Sequence, residues 1–247
     1  MEKLNVLGIP IDKVDARSAM ERFRELMARP GCDIIVTPNS EIVVSATKDE
    51  ELKGIIERAG LVIPDGIGLV YASKILKQPL SGRVTGIDFL SFILMELAEK
   101  GEGVFLLGSK PETAEEKSIA ERAAEAMKNK FPGLIISGTH DGYFKPEEEA
   151  SIVAEINASG ASFLVAAMGS PKQEKFIENH KDEFTAVRCA MGVGGSLDVW
   201  AGAVERAPEF YQKHGLEWAY RLIKEPVRIK RMGKLPVFML RVLGGNK

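Results

Sequence analysis

The stretch Leu-Val-Ile-Pro-Asp-Gly-Ile-Gly-Leu-Val at residues 61–70 decides the fold class. An apolar run ends at a proline, an Asp-Gly pair makes a corner, and apolar residues then recur at helical spacing as far as Ile75. This order predicts a buried strand, a tight turn and a helix. In an open α/β sheet the turn after a strand lies at the carboxyl edge, where ligands bind, so Asp65 is placed for chemistry. Its alternative role is the N-cap of the helix, a position that favours Asp.

The same alternation of strands and helices extends over most of the chain. Apolar runs typical of strands recur at residues 33–37, 104–107, 134–137, 163–167 and 187–193. Helical patterns separate them, among them residues 113–129 and 146–157, and residues 4–14 predict one or two short strands before a helix capped by Asp15. We therefore expect a Rossmann-like, largely parallel sheet with helices on both faces.

A boundary is expected near residue 200, where this alternation ends. Residues 1–200 are predicted to form the Rossmann-like domain, and residues 201–247 a helical C-terminal appendage with a helix over residues 208–223. The net charge of −2 hides an asymmetry, because residues 205–247 carry 10 Lys and Arg against 4 Asp and Glu, whereas residues 1–204 carry 23 against 31. The appendage is thus a basic segment on an acidic body.

The composition predicts a cytosolic protein. A chain of 247 residues with 45% hydrophobic residues can bury one main core. The N-terminus lacks the basic and apolar regions of a signal peptide, and no apolar run reaches the length of a membrane span. Cys32 and Cys189 lie far apart beside apolar runs, which favours reduced packing residues over a disulfide framework. No metal site and no nucleic-acid partner are expected.

The predicted strand-to-helix loops share a composition rich in Gly, Asn, Asp and Ser. They lie at residues 37–39, 65–66, 108–109, 141–143, 169–174 and 192–196. Backbone N–H groups and the helix dipole at such loops favour a phosphate, so a nucleotide-type ligand is the leading hypothesis. For any single loop, ordinary turn chemistry is the alternative explanation.

The type of nucleotide site can be narrowed from the motifs that are missing. The glycines at residues 192–195 do not match the dinucleotide fingerprint, and the chain has no P-loop motif, so NAD and P-loop ATP are disfavoured. An Asp-x-Asp pair for a divalent ion is also missing. A bound diphosphate would then be neutralised by cationic side chains and helix N-termini. Arg83, in a loop with Gly and Pro, is the best candidate; a solvated loop arginine is the alternative.

Six motifs in a defined order are more specific than any one loop. They are Thr-Pro-Asn-Ser-Glu, Ile-Pro-Asp-Gly-Ile-Gly, Gly-Arg-Val-Thr-Gly-Ile-Asp, His-Asp-Gly-Tyr-Phe, Met-Gly-Ser-Pro-Lys-Gln-Glu and Met-Gly-Val-Gly-Gly-Ser-Leu-Asp-Val-Trp-Ala-Gly. Together they resemble the WecG/TagA/CpsF family of bacterial glycosyltransferases over essentially the whole chain. They look most like its TagA branch, which transfers N-acetylmannosamine from UDP to undecaprenyl-diphosphate-linked N-acetylglucosamine at the start of wall teichoic acid synthesis.

This resemblance implies a role for each matched residue. It makes Asp65 the general base of an inverting, metal-independent single displacement that needs no cofactor. Three more matched residues would belong to the catalytic group, with Thr37 and Asn39 at the sugar and Arg83 at the diphosphate. The remaining positions would bind substrate, with Gln173 in the pocket, Tyr143 stacked on uracil, Asp198 hydrogen-bonded to uracil, and Gly194 and Gly195 in the adjoining loop. Three alternatives stay open: another UDP-sugar donor such as N-acetylmannosamine uronic acid or a hexose, a nucleotide-dependent oxidoreductase or epimerase, and a non-catalytic UDP-sugar-binding subunit.

The basic tail predicts how such an enzyme would reach a lipid-linked acceptor. Arg221, Lys224, Arg228 and Arg231 share one face if helical geometry persists past Pro226. An adjacent apolar stripe contains Leu216, Tyr220, Ile223 and Val227. At about 1 kcal/mol per basic residue near an anionic leaflet, this face predicts reversible attachment to the inner surface of the cell membrane. The appendage is also expected to help close the active site, with Arg221, Arg228 and Arg231 binding substrate. The alternatives are a helix packed on the domain and a contact in a homo-oligomer formed off the membrane.

Overall fold

Six parallel strands form the central sheet of the protein, and two more strands form a separate hairpin. The structure is a computed structural model that describes residues 1–80, 84–111, 113, 117–224 and 234–245. In chain order the strands are β1 (Lys3–Val6), β2 (Ile9–Asp12), β3 (Asp33–Val36), β4 (Leu61–Val62), β5 (Gly103–Gly108), β6 (Ile135–His140), β7 (Phe163–Ala167) and β8 (Cys189–Gly192). The sheet has the order β4-β3-β8-β7-β5-β6, and every pair is parallel. The predicted Rossmann-like class is confirmed.

Helices cover both faces of this sheet. They are α1 (Ala16–Met27), α2 (Ser40–Ala46), α3 (Glu50–Arg58), α4 (Ile67–Ile75), α5 (Gly86–Lys100), α6 (Ile119–Lys130), α7 (Glu149–Ser159), α8 (Lys172–His180), α9 (Ser196–Trp200), α10 (Glu209–Lys213), α11 (Glu217–Lys224) and α12 (Lys234–Leu243). Successive side chains of a strand point to opposite faces. Phe105 and Leu107 accordingly lie in one apolar cluster with α2, α3, α7 and α8, and Val104 and Leu106 in a second with α1, α5 and α6.

The two N-terminal strands form a separate antiparallel hairpin that is joined to the sheet by a buried acid. Oδ2 of Asp12 accepts a hydrogen bond of 2.8 Å from the backbone N–H of Val62 in β4. Burial raises the pKa of Asp12, and the Val62 bond and the nearby Lys3 oppose that rise. The predicted cap of α1 is confirmed, since Oδ1 of Asp15 accepts from the N–H of Ser18 at 2.8 Å.

Two predicted helices have different bounds in the structure. The helix expected over residues 113–129 begins at Ile119, because Ser118 and Glu121 form a capping box in which each side chain accepts from the other residue's backbone N–H, at 3.2 and 2.9 Å. The helix expected over residues 208–223 is divided into α10 and α11. The break falls at Gly215, whose φ of 68° lies in the left-handed region that ends helices.

The last helix of the tail packs back onto the body of the protein. Phe238 and Val242 of α12 are buried against α2 and α4, and Nη1 of Arg241 donates to Oγ1 of Thr47 at 3.1 Å. The other side of α12 faces outward, with Leu240 69% exposed. Within the described ranges, no helix combines the length and apolarity needed to span a bilayer. The division of the chain at residue 200 stays a prediction.

Candidate functional site

Asp65 lies at the carboxyl edge of the sheet, where the loops after β3 and β4 are hydrogen-bonded to each other. The backbone N–H of Asp65 donates to the carbonyl of Pro38 at 3.0 Å. A β-carbon placed on Gly66 would lie 3.7 Å from the β-carbon of Asn39. The structure therefore brings Asp65 and Asn39 together, two residues that the sequence placed in separate loops.

The capping role at this edge belongs to Asn39 and Gly66. Oδ1 of Asn39 accepts from the N–H of Ile42 at 3.0 Å and caps α2. The N-cap of α4 is Gly66, which has a φ of 87°, a conformation that glycine adopts without the steric cost of a side chain. Asp65 precedes the N-cap and is partly exposed. The alternative that Asp65 itself occupies the N-cap position is wrong.

Thr37 connects the Asp65 side of the edge to the neighbouring strand β8. Its Oγ1 donates to the carbonyl of Gly192 at 3.2 Å. A β-carbon on Gly86, the first residue of α5, would lie 3.3 Å from the same Oγ1. Thr37 thus lies where the ends of β3 and β8 meet the start of α5, beside the predicted sugar site.

Gln173 holds the loops after β7 and β8 together. Its Oε1 accepts from the backbone N–H of Gly169 at 3.1 Å and from that of Gly194 at 3.0 Å. The side chain is buried, with 3% of the residue exposed. A β-carbon on Gly192 would lie 2.5 Å from Nε2 of Gln173, so glycine is needed there for the amide to fit.

Glu174, to which sequence reasoning gave no role, completes this buried group. Its Oε1 accepts from Nε2 of Gln173 at 2.8 Å, and only 2% of the residue is exposed. Burial raises the pKa of Glu174, and the bond from Gln173 opposes that rise. Oε2 of Glu174 and Oγ of the neighbouring Ser170 are buried without a well-formed hydrogen bond among the described residues. The sequence feature that could have pointed to Glu174 is an acid in the first turn of a helix that follows the fully apolar strand β7.

The loop after β6 bends back across the edge toward β7. The N–H of Gly142 donates to the carbonyl of Ser109 after β5, and Nζ of Lys172 donates to the carbonyl of Gly142, both at 2.9 Å. Tyr143 in this loop is 70% exposed. Neighbouring strands of a sheet lie about 4.8 Å apart, and β4 and β7 are separated by three such spacings. The loop near β7 therefore lies roughly 14 Å from the Asp65 side of the edge. That span suits an elongated ligand.

Asp198 lies in α9, the short helix after β8, close to the glycines predicted to bind substrate. A β-carbon on Gly195 would lie 3.4 Å from Oδ2 of Asp198. Gly194 has a φ of 52°, and its N–H is the one held by Gln173. Asp198, Gly194 and Gly195 are therefore grouped between the Asp65 side and the Tyr143 loop.

Several predicted residues lie in or beside parts of the chain that the structure leaves undescribed. Arg83, Arg228 and Arg231 fall outside the described residues, and Arg221 is described only by its backbone in α11. Among the residues that are described, no three or more His, Cys, Asp and Glu side chains are grouped as metal ligands.

Lys224 of the predicted basic face is paired within the protein. Nζ of Lys224 lies 3.3 Å from Oε2 of Glu205, which also accepts from the hydroxyl of Tyr220 at 2.7 Å. Both charged groups are exposed, and exposed ion pairs contribute little stability. Ile223 of the predicted apolar stripe is exposed as well. On α11, the exposed Ile223 therefore lies next to Lys224, whose charge is partly neutralised by Glu205.

Comparison with known proteins agrees with the motifs. A sequence model of the "Glycosyl transferase WecG/TagA/CpsF family" matches residues 4–246. Proteins named N-acetylglucosaminyldiphosphoundecaprenol N-acetyl-beta-D-mannosaminyltransferase from Staphylococcus aureus strains MRSA252 and MW2 are each 34% identical over 242 residues. Each alignment covers 97% of this chain and 92% of the relative. The family resemblance of the motifs is confirmed.

Proposed function

Because the chain belongs to the WecG/TagA/CpsF family of glycosyltransferases, we propose that it transfers N-acetylmannosamine from UDP to undecaprenyl-diphosphate-linked N-acetylglucosamine. This reaction would serve wall teichoic acid linkage-unit synthesis. The names of the Staphylococcus aureus relatives support the sugar and the acceptor. The observation that carries the proposal is the hydrogen-bonded pair of loops that presents Asp65 beside Asn39 at the carboxyl edge.

In the proposed reaction Asp65 takes the proton from the acceptor hydroxyl as its oxygen attacks C1 of the donor sugar. The new C1–oxygen bond forms while the bond from C1 to the UDP oxygen breaks, so the configuration at C1 inverts in a single displacement. A positioned base contributes about 10²- to 10⁴-fold. Arg83 and backbone N–H groups would stabilise the charge on the departing diphosphate without a metal.

The donor would lie along the edge from Asp65 toward the loop after β6. Thr37 and Asn39 would contact the sugar, and Gly194 and Gly195 the adjoining part of the ligand. Asp198 and the exposed ring of Tyr143 would hold the uracil, a use that suits a large aromatic side chain left in solvent. Gln173 would act by fixing the glycine loops, since its amide oxygen is occupied by two backbone groups.

The tail would bring the enzyme to its acceptor at the inner face of the membrane. Arg221, Arg228 and Arg231 would contact anionic headgroups or the acceptor diphosphate, and exposed Ile223 would add apolar contact. In the absence of membrane the same surface would favour a homo-oligomer. If a chain ending near Val204 floats with anionic vesicles as well as the full chain does, the tail is not the anchor.

Turnover of a panel of UDP-sugars on undecaprenyl-diphosphate-N-acetylglucosamine, with and without EDTA, tests the donor and the metal independence. N-acetylmannosamine should be the preferred sugar, and EDTA should leave the rate unchanged. Asp65→Asn should lower kcat by about 10²- to 10⁴-fold and leave UDP affinity, measured by calorimetry, intact. Asp182→Asn, at an exposed position away from the edge, is the matched control. Near-normal turnover of Asp65→Asn would exclude Asp65 as the base.

A further inference from the structure

An open cleft of about 340 Å³ adjoins the Asp65 loop. One wall is formed by Ile67 of α4 and by Thr85 and Asp88 at the start of α5. The other wall is the tail, including Arg206 and Glu217. The volume is in the range of small-molecule sites.

The tail wall is fixed against the start of α4. A β-carbon on Gly215 would lie 2.8 Å from Cγ1 of Ile67, so the tail backbone contacts a residue two positions from Asp65. The N–H of Leu216 donates to the carbonyl of Tyr211 at 2.8 Å and holds the turn between α10 and α11. The cleft therefore has a defined position relative to Asp65.

The cleft carries a charged pair with hydrogen-bonding capacity that the protein does not use. Nη2 of Arg206 lies 2.7 Å from Oδ1 of Asp88, whose Oδ2 accepts from the hydroxyl of Thr85 at 2.6 Å. Nε of Arg206 is buried and lies 4.0 Å from Oε1 of Glu217, too far for a hydrogen bond. Among the described residues this Nε–H has no acceptor. The side chains of Arg206 and Asp88 are 30% and 42% exposed, so a sugar in the cleft would accept from the outer guanidinium N–H groups and donate a hydroxyl proton to the Asp88 carboxylate.

We propose that this cleft binds the terminal N-acetylhexosamine of the lipid-linked acceptor, held by Arg206 and Asp88. The assignment rests on the proposed function, because an inverting displacement needs the attacking hydroxyl on the face of C1 opposite the leaving UDP. The donor would extend from Thr37 toward β8 and β7, and Ile67, two residues after Asp65, forms part of the cleft wall. A sugar in the cleft would lie next to the Asp65 loop and would present its hydroxyl to that carboxylate.

Steady-state kinetics with a short-chain lipid-diphosphate N-acetylglucosamine as acceptor tests the assignment. Arg206→Gln and Asp88→Asn should each raise the KM for the acceptor by about tenfold or more and leave the KM for the UDP-sugar within about twofold, since a hydrogen bond to a charged group is lost. Arg58→Gln is the matched control, because Arg58 forms a similar 2.8 Å pair with Glu178 away from the cleft. An acceptor KM unchanged relative to that control would overturn the proposal. Wild-type turnover tests the proposed function separately.

A thiol-protection experiment gives a second test that does not depend on turnover. Lys213→Cys places a thiol at an exposed position on the rim of the cleft. The native thiols give little background, since burial raises the pKa of Cys32 to about 12 and Cys189 is buried. The acceptor analogue should slow labelling of the new thiol by about tenfold at saturation, while UDP should not. Protection by UDP-sugar alone, or by neither ligand, would overturn the proposal.

Discussion

Replacing Glu174 by Gln should stabilise the protein at neutral and alkaline pH. Because burial raises the pKa of Glu174 above its ordinary value of 4.5, the folded protein keeps a proton on this carboxyl at pH values where the unfolded chain has lost it. The stability of the wild type therefore falls as the pH rises from 4.5 through the folded-state pKa. Below pH 4.5 both states are protonated and this contribution is constant. A glutamine at this position does not titrate.

The size of the effect follows from the buried atoms around the carboxyl. Oε1 of the new glutamine would keep the 2.8 Å bond from Nε2 of Gln173, and its amide nitrogen would replace Oε2 beside Oγ of Ser170, two atoms that form no well-aligned hydrogen bond among the described residues. A buried polar group without a partner costs about 1–3 kcal/mol. We expect a gain of about 1–3 kcal/mol in the free energy of unfolding at pH 8, or roughly 2–4 °C in Tm for each kcal/mol.

Urea unfolding followed by circular dichroism from about pH 3 to about pH 8 measures this difference. The gap between Glu174→Gln and wild type should be small at the acidic end and widen as the pH rises. Glu96→Gln is a control of opposite sign. Burial raises the pKa of Glu96, but hydrogen bonds from Arg24 and Lys100 outweigh burial and hold that pKa below its ordinary value. Glu96→Gln should therefore destabilise the protein at neutral pH, by an amount that shrinks as the pH falls below 4.5.

A gap that does not change with pH would refute the reasoning, because it would mean that the carboxyl of Glu174 does not change its protonation on folding. A variant less stable than wild type at pH 8 would also refute it. That result would show that the buried carboxylate is ionised and satisfied in the folded protein.

Two further pairs of substitutions each compare a crowded or buried site with an open one, and urea unfolding measures both. Gly108→Ala should destabilise by about 3 kcal/mol or more, since at φ 138° a β-carbon would lie 2.5 Å from the carbonyl carbon of Ala167. Gly101→Ala, at φ 65° with open space among the described residues, should cost only about 1–2 kcal/mol. Phe238→Ala should cost about 3–5 kcal/mol, whereas Leu240→Ala should cost less than about 0.5 kcal/mol. Equal effects at residues 238 and 240 would contradict the packing of α12 on α2 and α4.

Local sequence patterns correctly predicted features that depend only on neighbouring residues or on burial that is the same along a whole strand. The strand over Phe163–Ala167 was predicted with its observed bounds because a central parallel strand is buried on both faces and is apolar throughout. The cap at Asp15 depends only on atoms three residues apart and was also predicted. The start of α6 was predicted too early, although the Ser118-x-x-Glu121 capping box was present in the sequence.

Contacts between distant parts of the chain could not be predicted in this way. Asp88 and Arg206 are 118 residues apart, and they pair only because the tail crosses the starts of α4 and α5. The periodicity of the tail predicted which residues share a face of a helix, but not what covers that face. Lys224, expected to face a membrane, pairs with Glu205, and Phe238 of the same tail is buried in the body of the protein.

The Pro-Lys-Gln-Glu motif shows how burial changes the interpretation of a sequence signal. The family resemblance of this motif implied that Gln173 lies in the ligand pocket. In the structure the amide oxygen accepts from Gly169 and Gly194, the nitrogen donates to Glu174, and the side chain has little exposed surface. Those two glycines follow β7 and β8, which are neighbours only in the folded sheet. We therefore interpret Gln173 as a residue that positions the two loops, so that a ligand meets the backbone that the amide holds in place.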